Sequence, residues 1–190
     1  AMSDRPRVAG LLLQKELRFL SEAIDHAASP FIAVLGGAKV SDKLSAIRNL
    51  LPRVDAVVIG GGMAYTFLAA RGMAIGNSLL EEDMVSEATH VLDEAQRTGT
   101  TVLLPVDHQC AANLDDTVNA TVIEGDIPDG LMGLDLGPVS AAAAAELLMT
   151  AGTIVWNGPM GVFERPPFDV GSRVVAEAVC APQPRRLGVG

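Results

Sequence analysis

Four short apolar runs, each followed by small or polar turn residues, constrain the fold of this chain more than any other feature. They are FIAVL at 31–35 and the runs within DAVVIGGG at 55–62, TTVLLPVD at 100–107 and GTIVWNGPMG at 152–161. Segments with helical spacing of apolar residues separate them. Strands that alternate with helices are typical of a parallel sheet with helices on both faces. The sequence therefore predicts a single α/β unit that is doubly wound around a mainly parallel sheet.

Six segments have the apolar spacing that is typical of amphipathic helices. Acids in the first turn and Gly99 after the last turn mark the ends of the longest one, and Ser41 is a candidate N-cap for the second. The acidic stretch TVNATVIEGDIPDG at 117–130 is expected to be irregular, with room for one short strand. The helical segments are 10–27, 41–51, 63–72, 81–99, 138–152 and 168–179.

The composition limits the partners that this chain can bind. With 49% hydrophobic residues but only 4% aromatic ones, the core must be built from Ala, Val, Leu and Ile. The net charge of −9 argues against nucleic acid and against an anionic membrane surface, because both require a broad basic surface. No apolar run reaches the roughly 18 residues of a membrane span, and the N-terminus lacks the apolar region of a secretory signal. Cys110 and Cys180 are too few and too far apart in the sequence to form a disulfide framework, so we expect a cytoplasmic protein. Cys110 and the nearby His108 do not have the spacing of a metal-binding motif, so we expect no metal site.

Small or polar residues follow every predicted strand, at Gly36-Gly37, 60–62, 105–107 and 157–161. Because the carboxyl ends of parallel strands meet at one edge of the sheet, and ligands bind there, these turns are expected to lie together. Glycine also lets a ligand approach the backbone closely. Glycines that simply end strands and cap turns are the alternative for any one turn, but the set of four favours a ligand site.

Two lysines, Lys39 and Lys43, follow the first of these turns and are four residues apart. Like charges at that spacing on a helix repel by roughly 0.2–0.5 kcal/mol, so an anion between them would relieve a cost. Helix N-termini and lysines both attract phosphate oxygens, and each charged hydrogen bond contributes about 1.5–3 kcal/mol. The pair is therefore predicted to bind phosphate, with an ordinary solvated surface as the alternative.

The other motifs and reactive side chains have simpler interpretations. The chain has no G-x-x-x-x-G-K-[ST] string, and GGGMAYTF places Tyr65 where a dinucleotide fingerprint needs its third glycine. We expect surface positions for His26 and His90, a structural role for Asp107 and a core position for Trp156.

Several strings in this chain occur together in one known family. They are LGGAKVSDK, IGGGMAYTFL, GNSLLEED, LLPVD, IPDGLMGLDLGP and VWNGPMGVFE. In order and spacing they resemble the C-terminal, nucleotide-binding domain of phosphoglycerate kinase, and the resemblance runs from about Val8 to about Val179. The opening VAGLLLQKELRFL resembles the helix that joins the two domains of that enzyme. The resemblance implies a Rossmann-like fold.

The resemblance also implies roles for individual residues. Lys39 would reach the nucleotide phosphates, and Lys43 would follow the phosphoryl group during transfer. Glu164 would bind the ribose, which suits a carboxylate because it accepts two hydroxyl donors. The nucleotide would be ATP or ADP, with Mg²⁺ bound in the whole enzyme. The remaining implied contacts are backbone along the nucleotide at Gly37 and Ala38, an adenine slot at Gly61, Gly62, Leu79, Gly133, Leu134 and Val162, and positions near the phosphates at Asn157 and Pro159.

Compared with the whole enzyme, the chain resembles one domain. We expect a tail with an interdomain-type helix at 1–27, a nucleotide-binding α/β domain at 28–179 and a divergent tail at 180–190. 3-Phosphoglycerate would bind only through an N-terminal domain without a counterpart in this chain. The aspartate that holds magnesium and the last strands of the sheet also have no counterpart here.

Two functions remain open at this point. The first is the nucleotide-binding part of a kinase that transfers a phosphoryl group between 1,3-bisphosphoglycerate and ADP, with no turnover expected from this chain alone. The second is an inactive fragment that serves as a weak nucleotide-binding or packing module. A dehydrogenase-like dinucleotide binder is a distant third, because the chain lacks a proper fingerprint and has the lysine pair.

Overall fold

A computed structural model of the chain describes residues 27–181. The helix predicted at 10–27 and most of the tail at 180–190 lie outside the described residues. The strands are β1 Phe31–Leu35, β2 Ala56–Ile59, β3 Thr101–Leu103, β4 Asp107–Ala111, β5 Thr121–Glu124, β6 Met132–Leu136 and β7 Thr153–Asn157. The helices are α1 Leu44–Leu50, α2 Met63–Ala70, α3 Val85–Thr98, α4 Pro138–Met149 and α5 Val170–Cys180, with 3₁₀ turns at Leu51–Arg53 and Glu82–Met84.

The four predicted apolar runs form a parallel sheet in the order β3-β2-β1-β7. Leu35 at the end of β1 lies beside Ile59 of β2 and Asn157 of β7, so these three strands end at the same level. Every residue of β1 is buried, as expected for a strand that is covered on both faces. The predicted α/β class with a mainly parallel sheet is confirmed.

Alternate residues of the strands face two separate hydrophobic layers. On one face, Leu35 and Ile59 pack with Ile47 of α1 and Phe67 of α2, and α3 completes the layer. On the other face, strand residues that include Ile32, Val34 and Ile154 pack with α4 and α5 through Ala141, Ala144, Leu148 and Val175. Small alanines in α4 allow this helix to pack closely against α5 within this layer.

A second sheet, antiparallel and ordered β5-β4-β6, was not predicted. The short strand expected within 117–130 is β5, but the other two strands of this sheet, β4 and β6, carry buried polar residues that hide a strand pattern. Asp107 and His108 of β4 and Asp135 of β6 are at most 2% exposed. Because β6 supplies Met132, Gly133 and Leu134, the second sheet matters for the site described below.

Local contacts confirm some sequence interpretations and correct others. Gly99 ends α3 with a left-handed backbone, as predicted. Asp107 has the structural role expected of it, since its carboxylate accepts hydrogen bonds from the first amides of α4, Val139 N at 2.9 Å and Ser140 N at 2.7 Å. The prediction of Ser41 as an N-cap was wrong. Helix α1 begins only at Leu44, and the Ser41 hydroxyl instead donates a hydrogen bond to Glu81.

Trp156 is half-buried on β7 and is not the full core residue that was expected. β7 lies at one edge of the sheet as described, and the Trp156 indole donates a hydrogen bond to the Gly158 carbonyl at 2.7 Å. His90 is exposed, as predicted. Within residues 27–181, no helix has both the length and the apolar character needed to span a bilayer.

Candidate functional site

The loops that follow β1, β2 and β7 are joined to one another by backbone hydrogen bonds. Gly37 N donates to Pro159 O at 3.0 Å, and Gly61 N donates to Met160 O at 2.8 Å. Met63 N, at the start of α2, donates to Gly37 O at 3.0 Å. Three of the four turns that the sequence predicted at one edge of the sheet therefore form one connected backbone unit, whereas the turn at 105–107 leads into β4 of the second sheet.

Glycine is required at the centre of this unit by both space and conformation. Gly61 has φ +68°, and a Cβ there would lie 2.6 Å from both the nitrogen and the oxygen of Gly37. A Cβ on Gly36 would lie 2.1 Å from Pro159 O. The atoms in the way are backbone atoms that are themselves hydrogen-bonded, so they cannot move aside at low cost.

A cavity of about 340 Å³ opens beside this unit, and we call it the strand-end cavity. Its walls come from the loops after β1, β2 and β7, from β6, and from the segments around Leu79 and Leu114. Ten of the predicted nucleotide-binding residues line it: Gly37, Ala38, Gly61, Gly62, Leu79, Gly133, Leu134, Pro159, Val162 and Glu164.

Three lining residues were not among the predicted nucleotide-binding residues, namely Leu114, Met132 and Gly161, although Gly161 belongs to the turn at 157–161 that was predicted at this edge. Met132 and Gly161 lie inside motifs that carried the family resemblance, so the motif context could have indicated them. Leu114 lies on the loop between β4 and β5, and no signal in its surroundings points to a site.

Lys39, Lys43 and Asn157 do not line the strand-end cavity. The Lys43 ammonium donates a hydrogen bond to the Asn157 side chain, and both residues border a side groove of about 470 Å³ that runs along Leu35 and Val155. A Cβ on Gly37 would lie 3.7 Å from the Lys43 side chain, so Lys43 lies next to a residue of the cavity wall. Lys39 is exposed, one residue beyond Ala38 of the cavity wall.

Glu81 fixes the loop that carries the lysines, and the sequence did not single it out. Its carboxylate accepts hydrogen bonds from Val40 N and from the amide and hydroxyl of Ser41. Glu81 N in turn donates to the Thr66 hydroxyl of α2 at 3.2 Å. These bonds hold the segment of Leu79 against the loop after β1, which closes one side of the strand-end cavity.

Behind the cavity walls lies a buried carboxylate, Asp135. Its Oδ2 accepts a hydrogen bond from Gly171 N at the start of α5, at 2.7 Å, and its Oδ1 has no partner among the described residues. Burial raises the pKa of Asp135 to about 7. A Cβ on Gly161 would lie 2.2 Å from Oδ1, so this carboxylate abuts the backbone that lines the cavity.

Tyr65, His108 and Cys110 form a second buried group, beneath Gly133 of the cavity wall. The Tyr65 and His108 ring centroids are 5.5 Å apart, and a Cβ on Gly133 would lie 2.0 Å from the Tyr65 hydroxyl. Burial lowers the pKa of His108 and raises the pKa of Tyr65, because it disfavours the charged form of each. These side chains support the wall and do not line the cavity. No cluster of three or more His, Cys, Asp or Glu side chains that could hold a metal exists within residues 27–181.

Comparisons with known proteins agree with this architecture. A family model described as "Phosphoglycerate kinase" matches residues 2–187. The phosphoglycerate kinase of Clostridium perfringens (strain SM101) is 50% identical over 175 residues, which are 92% of this chain and 44% of that protein. The phosphoglycerate kinase of Clostridium novyi is 52% identical over 171 residues, which are 90% of this chain and 43% of that protein.

A solved structure of phosphoglycerate kinase from Coxiella burnetii superimposes with a TM-score of 0.89 at 40% sequence identity. It is matched over 95% of this chain and 47% of its own length. The chain thus spans less than half of the relatives that it matches, while the family model covers nearly all of it. The chain belongs to the phosphoglycerate kinase family.

Proposed function

We propose that this chain is the adenine-nucleotide-binding part of a phosphoglycerate kinase, which transfers a phosphoryl group between 1,3-bisphosphoglycerate and ADP. The observation that carries the proposal is the strand-end cavity, in which ten residues that the family resemblance assigns to the nucleotide line one space. Its volume falls within the roughly 300–1,000 Å³ of ordinary ligand pockets.

The walls of the cavity suit a nucleoside. Gly61, Gly62 and Gly133 present flat backbone surfaces against which an adenine ring can lie, and Leu79 and Val162 provide apolar cover. Glu164 is exposed at the rim, where its two carboxylate oxygens can accept hydrogen bonds from the ribose hydroxyls. The nucleoside end is thus held mainly by shape and apolar contact.

The phosphates would extend from the cavity past Gly37 toward Lys43. The Lys43 ammonium has three donors, and Asn157 accepts from one of them, so two remain for phosphate oxygens. Phosphoryl transfer needs positioning and charge neutralisation more than it needs a base or a covalent intermediate. The roles assigned to Lys39 and Lys43 are therefore to orient the phosphates and to stabilise the negative charge of the transferred group.

Magnesium would accompany the nucleotide in this reaction, but the part of the chain that the structure describes contains no cluster of three acidic, histidine or cysteine side chains to hold it. The second candidate function, nucleotide binding without transfer, draws on the same cavity, because binding a nucleotide requires none of the residues of a glycerate site.

Replacement of Lys43 by alanine is expected to weaken ADP binding about tenfold or more while changing adenosine binding less than about twofold. Only ADP has phosphates that lose a charged hydrogen-bond donor. The wild-type chain is expected to bind ADP weakly, with a Kd of about 1 mM, so ligand-observed NMR with ADP and adenosine is the suitable measurement.

The matched control for this test is Arg97→Ala, which removes an exposed cation that pairs with Glu94 on α3. It should leave both affinities unchanged. Equal losses for ADP and adenosine in Lys43→Ala would show that Lys43 supports the cavity and does not bind phosphate.

A further inference from the structure

We propose that Arg165 and Asp115 form a latch that positions Leu114 as a wall of the strand-end cavity and thereby determines how tightly the nucleoside end is held. This inference rests on the proposed function, from which the identity of the ligand is taken. Neither the sequence motifs nor the comparisons assign a role to these residues.

The latch joins two loops that both line the cavity. Leu114 lines the cavity from the loop between β4 and β5, while Val162 and Glu164 line it from the loop after β7. The Arg165 guanidinium pairs with the Asp115 carboxylate, and the same nitrogen donates to the Leu114 carbonyl at 3.4 Å. Each partner of the latch is therefore the direct chain neighbour of a cavity residue.

Backbone hydrogen bonds connect Arg165 to the buried core and to the cavity wall. Its backbone nitrogen donates to Val162 O at 3.0 Å, and its carbonyl accepts from Phe168 N at 2.8 Å. Phe168 is fully buried, and Val162 N donates to Leu134 O of β6 at 2.9 Å. The β7 side of the latch is thus tied to the core and to the cavity wall.

The loop of Leu114 has no comparable anchor. Asp115 N and Asp116 N both bond to Asn113, which makes a local turn. Within the described part of the chain, the hydrogen bonds from residues 113–119 to residues outside this loop all come from the Arg165 guanidinium. Leu114 is 44% exposed and belongs to none of the hydrophobic layers, so packing does not fix it either.

The expected effect is modest and has a distinctive signature. The side chains of Arg165 and Asp115 are 49% and 83% exposed, and ion pairs in such positions change an equilibrium by up to about fivefold. Salt screens exposed pairs, with a Debye length of about 3 Å at 1 M. Adenosine is uncharged, so salt cannot act on its affinity by screening an attraction between the ligand and the protein. The latch therefore predicts that adenosine binds less tightly as salt increases.

The test compares Arg165→Met, Asp115→Asn and the exchange variant Arg165→Asp/Asp115→Arg by ligand-observed NMR with adenosine at low salt and at about 1 M salt. Each single variant should lose about threefold to fivefold in affinity at low salt and should lose the salt dependence. The exchange variant should recover most of the adenosine affinity at low salt and most of the dependence of this affinity on salt. Arg97→Met, which removes the Arg97–Glu94 pair on α3, should behave as wild type.

Amide hydrogen exchange of the free protein separates a failure of the latch from a failure of the proposed function. Protection of the Asp116 and Thr117 amides, which donate within the loop, should fall in Arg165→Met and at high salt but not in Arg97→Met. If the wild type shows this exchange pattern but binds no adenosine, the latch is supported and the proposed nucleoside site is wrong. Unchanged affinity and exchange in both single variants, or no recovery in the exchange variant, would overturn the latch.

Discussion

Replacement of Gly61 by alanine is expected to abolish detectable adenosine and ADP binding and to lower the free energy of unfolding by roughly 2–4 kcal/mol. Two costs add at this position. The backbone has φ +68°, which an L-residue adopts only at a cost of about 1–2 kcal/mol. The new Cβ would also lie 2.6 Å from Gly37 N and O and 2.9 Å from Pro159 O. To admit it, the loops after β1 and β7 must separate, and these loops form the cavity.

Gly72→Ala provides the matched control for this prediction. Gly72 also has a left-handed backbone, with φ +80°, but a Cβ there would meet no atom within 4 Å. Its replacement should therefore lower the free energy of unfolding only by the roughly 1–2 kcal/mol that an L-residue costs in a left-handed backbone, and it should leave ligand binding intact. Chemical denaturation of the two variants measures the difference between their free energies of unfolding. This difference is the part of the cost at Gly61 that comes from the close approach of the loops. Equal losses of stability, with adenosine binding retained in Gly61→Ala, would contradict the tight junction of the three loops.

The parallel sheet was predictable because its strands are buried on both faces. All five residues of β1 are apolar and buried, so FIAVL differs clearly from a helical or an alternating pattern. Asn157 ends β7 beside Leu35, which explains why turn residues that are more than 100 residues apart in the chain share one edge. The short apolar runs and the turns that follow them were thus enough to predict the parallel sheet and the edge at which the strand-end cavity lies.

The antiparallel sheet could not be predicted in the same way, because it breaks the rule that buried positions are apolar. Asp107 in β4 is buried because it caps α4, and Asp135 in β6 is buried because it accepts a hydrogen bond from the start of α5. Both reasons depend on where distant helices begin. A local pattern of apolar residues cannot predict a hydrogen bond between a strand and the start of a distant helix.

The site shows the same division between local and distant signals. Local patterns placed the turns after β1, β2 and β7 at this edge, whereas the individual residues of the strand-end cavity were named through the resemblance to phosphoglycerate kinase. Leu114 was missed because its place in the wall depends on Arg165, about fifty residues further along the chain. The pairing of Lys43 with Asn157 likewise follows from the register of β1 and β7, which only the structure supplies.

Replacement of Asp135 by asparagine is expected to make the protein progressively more stable than wild type as the pH rises. Burial raises the pKa of Asp135 to about 7 in the folded protein, whereas an unfolded aspartate has a pKa of about 3.9. The folded state therefore retains a proton that the unfolded state releases. The stability that this proton contributes is fully present below about pH 4 and is lost as the pH rises through 7.

The size of this effect follows from the linkage between protonation and folding. The free energy of unfolding of the wild type, relative to that of Asp135→Asn, should fall by roughly 2–3 kcal/mol between about pH 5 and pH 8. The amide oxygen of asparagine can still accept the hydrogen bond from Gly171 N, so the start of α5 keeps its partner. Denaturant unfolding of both proteins across this pH range gives the difference directly.

Taking the difference between two proteins also removes the opposing effect of His108. Burial lowers the pKa of His108, so its contribution to stability is present above about pH 6.5 and is lost as the pH falls below that value. Both proteins contain this histidine, and its contribution cancels in the difference. If the Asp135→Asn difference does not change between pH 5 and pH 8, Asp135 is ionised in the folded protein throughout this range, and the prediction is wrong.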